Sequence, residues 1–419
     1  MDDIKPKHHK KHRRSKSTQA KQTDTSKDKD TTPDDQESLV VPLVIPPHER
    51  HHKPEQQETR ITALKSKIIS IWRRLSRKQQ IGLLAGSATV VIILSVGLLA
   101  LLLGPNDTSE APVIVEAEPV TLPEPQIVTS NLTGLPVDPE LAKLPVTAVT
   151  IENSPEARPQ AGLQEAGVVF EARVEGNITR FLALYQEEQP ELIGPIRSAR
   201  RNHIDWVLGF DAAFAHVGGS PFALQRIRDQ NVKDLDQMRN PEGFQRRSTR
   251  FAPHNMYSSR AQLLQLHEKL GFTNSDYDSL VRKTPEPSET PDAQTVDVSM
   301  STPQYNVRFV YDPEANAYKR FMGGVPHIDE ATNEQIMVDV VVVIITDYRR
   351  SGIYSAYRGN GSGSAFIFQD GTVVEGSWEK PNRNSNFRFG DAHGAPLGLN
   401  PGKTWFTYAT EKSDISIEP

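Results

Sequence analysis

The chain has 419 residues, a formal net charge of -5 and no cysteine. The missing cysteines exclude disulfides, Cys-ligated zinc, iron–sulfur clusters and thiol nucleophiles together. Residues 1–80 carry 19 basic against 11 acidic side chains, a net of +8, which leaves -13 for the rest; the acidic remainder excludes generic nucleic-acid binding, which needs a basic surface to release counterions.

Residues 1–57 are rich in Lys, His, Thr, Asp and Pro, the composition of a disordered tail. Its run KHHKKHRR, residues 7–14, reads as a solvated charge run or as a contact for nucleic acid or a metal. Residues 58–80 have the pattern of a basic amphipathic helix, with Ile61, Leu64, Ile68, Trp72 and Leu75 on one stripe. That helix either lies on anionic lipids of the inner leaflet or simply extends the helix that follows. Residues 81–103 contain no charged side chain, and as a helix of about 34 Å they would span a hydrocarbon core of about 30 Å. Arg73, Arg74, Arg77 and Lys78 precede this run, whereas the first charge after it is Asp107. The positive-inside rule then places the N-terminus in the cytoplasm and the body outside the cell membrane, with the lipid bilayer as first partner. Residues 104–145 read as an acidic, Pro-rich spacer.

Residues 146–275 alternate strand and helix patterns, which predicts an α/β layer domain. VVFEARVEGNITRFLALY, residues 168–185, reads as two strands joined by a two-residue turn at Gly176-Asn177. In that register Glu171, Arg173 and Glu175 share a face with Arg180. Ser198 is the expected N-cap of the next helix, Ser220-Pro221 starts another, and Ser259 with Gln262 fits a capping box. With parallel strands, the loops around Arg197–Arg200 and Gly218–Ser220 leave the sheet at one edge, where helix N-termini favour anions. The expected binding residues are Arg180, Arg197, Ser198, Arg200, His216, Ser220, His254 and Asn255, with Glu175 as the candidate catalytic carboxylate. The alternative is a structural salt-bridge network with ordinary helix caps.

Residues 276–295 read as a linker, and residues 296–415 as a mainly β domain, a sandwich or open barrel. Val340–Ile345 has the composition of a buried central strand, and Asp370-Gly371 is a strong two-residue hairpin signal. RGNGSGSA, residues 358–365, reads as a flexible connection. In the body the serine-hydrolase, penicillin-binding and zincin signatures are absent, His203, His216, His254, His267, His327 and His393 lack metal-ligand spacing, and no cofactor is expected. Glu171 and Glu175 on one strand would stand about 13 Å apart, too far for a retaining glycosidase pair. A second carboxylate would have to come from elsewhere, for example Asp205 or Asp211. Two functions stay open: binding of an anionic cell-wall polymer, or glycan modification with Glu175 as acid or base.

Four segments carry a family resemblance: ENSPEARPQAGLQEAGVVFEARVEGNITRFLALY, IGPIRSARRNHID, HVGGSP and FAPHNMY. They resemble the N-terminal domain of the YerB-like envelope lipoproteins, a bacterial family of unknown function. FVYDPEANAYKRFMGGVPHID and GSAFIFQDGTVVEGSWEK resemble that family's C-terminal domain. The resemblance implies an envelope location and no established chemistry. Such proteins commonly carry a lipidated cysteine; here the apolar run 81–103 would take the place of the lipid.

Overall fold

Uninterrupted apolar runs, rather than alternating ones, mark strands covered on both faces, and several strands of this chain are buried along their whole length. In chain order the first are β1 (Thr147–Glu152), β2 (Val168–Arg173) and β3 (Thr179–Tyr185). Then come α1 (Arg201–Gly209), β4 (Ala213–His216), α2 (Pro221–Asp229), β5 (Asp234–Asp236) and α3 (Arg260–Leu270). The later part holds β6 (Thr295–Val298), β7 (Val307–Asp312), β8 (Ala317–Met322), β9 (Val340–Ile345), β10 (Gly361–Gln369), β11 (Thr372–Lys380), β12 (Arg388–Gly390), β13 (Thr404–Ala409) and β14 (Ile415–Glu418). This computed structural model describes residues 126–419. The readings for residues 1–57, 58–80 and 81–103, and for most of the spacer, lie outside the described residues. Among the described residues no helix is long and apolar enough to cross a membrane.

The described body is mostly β-sheet with few helices. Ten strands form one mixed sheet in the order β12-β11-β10-β9-β13-β2-β3-β1-β4-β5. The last long strand, β13, runs parallel to β9 on one side and to β2 on the other. It therefore joins the early and late parts of the chain through backbone hydrogen bonds. A second, antiparallel sheet, β8-β7-β6-β14, is extended by Val325–Pro326 and shares one hydrophobic core with the large sheet and α3. A second core groups α1 and α2 with residues of the large sheet from both parts. Phe170 of β2 stacks on Phe406 of β13 at 4.5 Å and on Trp206 of α1 at 4.9 Å. Each such pair adds about 1 kcal/mol beyond the area it buries.

This arrangement corrects several expectations. The late part is neither a sandwich nor a barrel of its own, because β9–β13 complete the sheet begun by β1–β5. Residues 276–295 are a strap rather than a free linker. Leu280 is buried, Lys283 N donates to Leu399 O at 2.9 Å and Ala293 N to Gly371 O at 3.0 Å. The Arg282 guanidinium donates to Asn400 O and Thr404 Oγ1. The end of the spacer is also folded: Val128–Thr129 pairs with Pro136–Val137, and Leu132 is buried in the second core. Gly361–Ser364, read as a flexible connection, belongs to β10. Gly363 is required there, since a Cβ would lie 2.7 Å from Trp378 Nε1 and 2.9 Å from Ile345 O. The Asp370-Gly371 hairpin, the Val340–Ile345 strand and the N-cap at Ser220 form as expected, while Ser259 caps α3 with Gln262 Oε1 accepting from its hydroxyl rather than from its backbone N–H.

Between the two sheets lies a fully buried ion pair. Arg320 of β8 contacts Glu171 of β2 at 2.6 Å, and both side chains are inaccessible. Trp405 Nε1 of β13 donates to Glu171 at 3.2 Å, and the Arg320 guanidinium lies 4.5 Å over the Trp405 ring. Removing one member strands a buried charge, which costs about 3–5 kcal/mol, whereas replacing both with apolar groups costs far less. Arg320→Met should therefore lower unfolding stability by about 3–5 kcal/mol in denaturant titrations followed by tryptophan fluorescence. Glu171→Leu combined with Arg320→Met should recover most of that loss; equal costs for single and double variants would refute the pairing.

Candidate functional site

The site grows from the loop between β2 and β3. Gly176 and Asn177 both have φ of 62°, but they do not form a two-residue turn. Val174 N donates to Ile178 O at 2.8 Å and Ile178 N to Glu175 O at 3.1 Å, so the loop spans 174–178. The register then sets Ala172 opposite Arg180 and Glu171 opposite Phe181. A one-residue slip moves a side chain to the other face of a sheet, so the expected face with Glu171, Arg173 and Arg180 together is corrected. Glu171 goes to the core, and Glu175 reaches Arg180 from the loop.

Two carboxylates interleave the arginines. Glu175 contacts Arg180 at 3.2 Å and Arg200 Nε at 2.5 Å. Glu152, paired across the sheet with Arg180, lies 3.0 Å from Arg197 and 2.8 Å from His254. Burial works against charge at Glu175, but the hydrogen bond from Arg200 and the charges of Arg180 and Arg200 outweigh it and hold the carboxyl at about 2. Burial and the neighbouring Arg200 pull Arg180 down to about 10, with Glu175 and Glu152 opposing.

Arg197–Arg200 and Val217–Ser220 run side by side. Val217 N donates to Arg197 O at 3.0 Å and Ala199 N to Gly218 O at 2.9 Å. The N-cap of α1 is Arg200, not Ser198; Ser198 supplies its carbonyl to Arg180 at 3.0 Å. His216 is fully buried, with its ring between Asp234 at 3.0 Å and Gly218 O at 2.8 Å, so it holds the loop rather than lining a pocket. Asn255 is also internal to its loop, accepting from Arg246 at 2.7 Å. Asp205 is committed to Arg226 at 2.5 Å and Asp211 to Lys233 at 2.7 Å. Neither serves as a partner acid for Glu175.

The described residues divide into family segments at known places. "Protein of unknown function (DUF3048) N-terminal domain" matches residues 132–273, and the corresponding C-terminal domain matches residues 296–406. A Bacillus subtilis (strain 168) protein named "Putative lipoprotein YerB" is 30% identical over 294 residues, covering 68% of this chain and 87% of that protein. This chain belongs to the YerB-like DUF3048 family. The crystal structure of Bacillus subtilis YerB matches with a TM-score of 0.64 at 29% identity, covering 70% of this chain and 100% of that chain. The two family segments correspond to stretches that share one sheet in the YerB-like fold described above.

A pocket of about 150 Å³ lies where the two segments meet. Arg200, Arg201, Ser220 and Phe222 line it from the N-terminal segment, and Tyr354 and Ser355 from the C-terminal one. Ser220 caps α2 by accepting from Ala223 N at 3.2 Å. Arg201 stacks over the half-exposed Phe222 ring at 4.6 Å and Arg200 lies 5.8 Å from Tyr354. Arg201, Phe222 and the hairpin Tyr348–Ser351/Tyr354–Tyr357 are functional candidates that sequence reasoning missed. The signal was available in DYRRSGIYSAYRG, residues 347–359, where basic and aromatic residues flank a Ser-Gly turn.

The depressed Glu175 carboxyl has a consequence for acid stability. A carboxyl held at about 2, below its ordinary 4.5, contributes stability that is present above pH 4.5 and lost as pH falls toward 2. That contribution is at most about 3 kcal/mol. Glu175→Gln should lower stability at pH 7 and flatten its dependence on pH between about 4.5 and 2 in thermal melts. An unchanged acid profile would remove Glu175 as the counterion.

Proposed function

We propose that this protein is a membrane-anchored envelope protein whose extracytoplasmic body binds an anionic cell-wall polymer. The proposed orientation keeps residues 1–57 in the cytoplasm, rests residues 58–80 against anionic lipids, and crosses the bilayer with residues 81–103. The lipoprotein named among its relatives supports an envelope location. The observation that carries the binding reading is the pocket at the junction, where Arg200 and Arg201 accompany the capped start of α2 and two aromatic rings. Helix starts and guanidinium forks favour oxyanions, and ring faces favour the apolar faces of sugars or polyols.

The alternative, a glycan-modifying enzyme with Glu175 as acid or base, gains little from the geometry. A general acid at neutral pH needs a raised pKa, whereas Glu175 is held at about 2 between two arginines. Glu188, raised to about 8 by burial and by Glu187, is not among the residues of the pocket.

Retention of the full-length protein on purified cell-wall sacculi tests the reading. Phe222→Ala and Arg201→Gln alter exposed side chains, so each should leave the melting temperature unchanged and weaken retention about tenfold, the scale of one charge-assisted contact. Undiminished retention of both variants would contradict the pocket. Release of soluble fragments, abolished by Glu175→Gln, would favour the enzyme instead.

A further inference from the structure

Beyond the hairpin lies a second cavity of about 420 Å³, which shares Arg201 with the first pocket. Its charged lining is Arg201, Arg349, Arg350 and Arg358 against Asp347 alone, a net of +3. Arg358 makes only a loose ion pair with Asp347 at 3.8 Å. Arg201, Arg349 and Arg350 make none among the described residues. This differs from the neighbouring Glu152–Arg197 and Arg180–Glu175–Arg200 network, where carboxylates already answer the arginines.

The hairpin that brings in Arg349 and Arg350 is tied to the N-terminal segment. Tyr357 N donates to Asn202 Oδ1 at 3.1 Å, Ser355 Oγ donates to Val174 O, and the Arg173 guanidinium lies 4.5 Å over the Tyr348 ring. Guanidinium groups around one cavity repel each other, and a bound anion relieves the part of that repulsion that solvent does not screen. They also come from three places: the start of α1, the first hairpin strand and the segment after the second.

We propose that this cavity is a second anion subsite, and that the two adjoining pockets take successive phosphate groups of one linear polymer. The inference rests on the reading above that the first pocket binds an anionic wall polymer. Charge repeated across two cavities fits a ligand whose charge repeats along its length. A carboxylate presents two oxygens in one plane and is filled by a single guanidinium fork. The oxygens of a phosphate are disposed tetrahedrally and accept forks arriving from several directions, which suits arginines contributed by three separate segments.

The test uses full-length protein, poly(glycerol phosphate) as probe, and polygalacturonate of matched charge as the carboxylate comparison. Vesicles containing phosphatidylglycerol supply the lipid comparison. Arg349→Gln/Arg350→Gln changes two exposed side chains, and a matched melting temperature checks the fold. Wild type should bind poly(glycerol phosphate) in preference to polygalacturonate. The double variant should bind it at least tenfold more weakly, with a shallower dependence on salt. Equal binding of polygalacturonate, or a loss confined to the phosphatidylglycerol vesicles, would overturn the proposal. If Phe222→Ala weakens poly(glycerol phosphate) binding and the double arginine variant does not, the second subsite fails and the first pocket stands. If wild type binds none of the probes and is not retained by sacculi, both readings fail.

Discussion

The buried contact of Arg320 with Glu171 and Trp405 ties together three strands that are remote in sequence. Glu171 lies on β2, Arg320 on the second sheet and Trp405 on β13. Such a pair is weak evidence for stability, because desolvation consumes most of its Coulomb energy. Trp405 Nε1 donates to Glu171 as well, so the buried carboxylate is satisfied in the arrangement that places β13 between β9 and β2. With β13 in place, the ten-stranded sheet is continuous and the aromatic stack of Phe170, Phe406 and Trp206 can close.

Continuity of the sheet also makes the candidate site. The arginines at the start of α1 belong to one family segment and the Tyr348–Tyr357 hairpin to the other, so neither segment holds the groove alone. Polar anchors, Tyr357 N on Asn202 and Ser355 on Val174 O, seat the hairpin on the N-terminal segment. The carboxylates Glu152 and Glu175 neutralise the inner arginines, leaving the outer ones, Arg201, Arg349 and Arg350, to face the cavities. Arg200 belongs to both sets, paired with Glu175 and lining the first pocket.

Local chemistry was legible in the sequence where one or two residues decide the backbone. Asp370-Gly371 closes a two-residue hairpin because both residues adopt positive φ. Ser220-Pro221 and Ser259 start helices because their hydroxyls accept from free backbone N–H groups. Gly176-Asn177 carried the same signal and misled, since the neighbouring Val174–Ile178 contact lengthens the loop and slips the register by one residue. That slip put Glu171 and Arg180 on opposite faces, where the expectation had them on one. The pairing of β13 with β2 spans more than two hundred residues, a partnership that no local pattern encodes. The division between two family segments was legible, but their shared sheet was not.

Hydrogen exchange on the full-length protein, with and without poly(glycerol phosphate), tests most directly whether one groove is built from both segments. The account predicts that the ligand slows exchange together at residues 197–203 and 218–224 and at residues 347–358. Protection of only one of these regions, or protection centred instead on the separate surface groove lined by Asp278, Glu379 and Arg388, would contradict it.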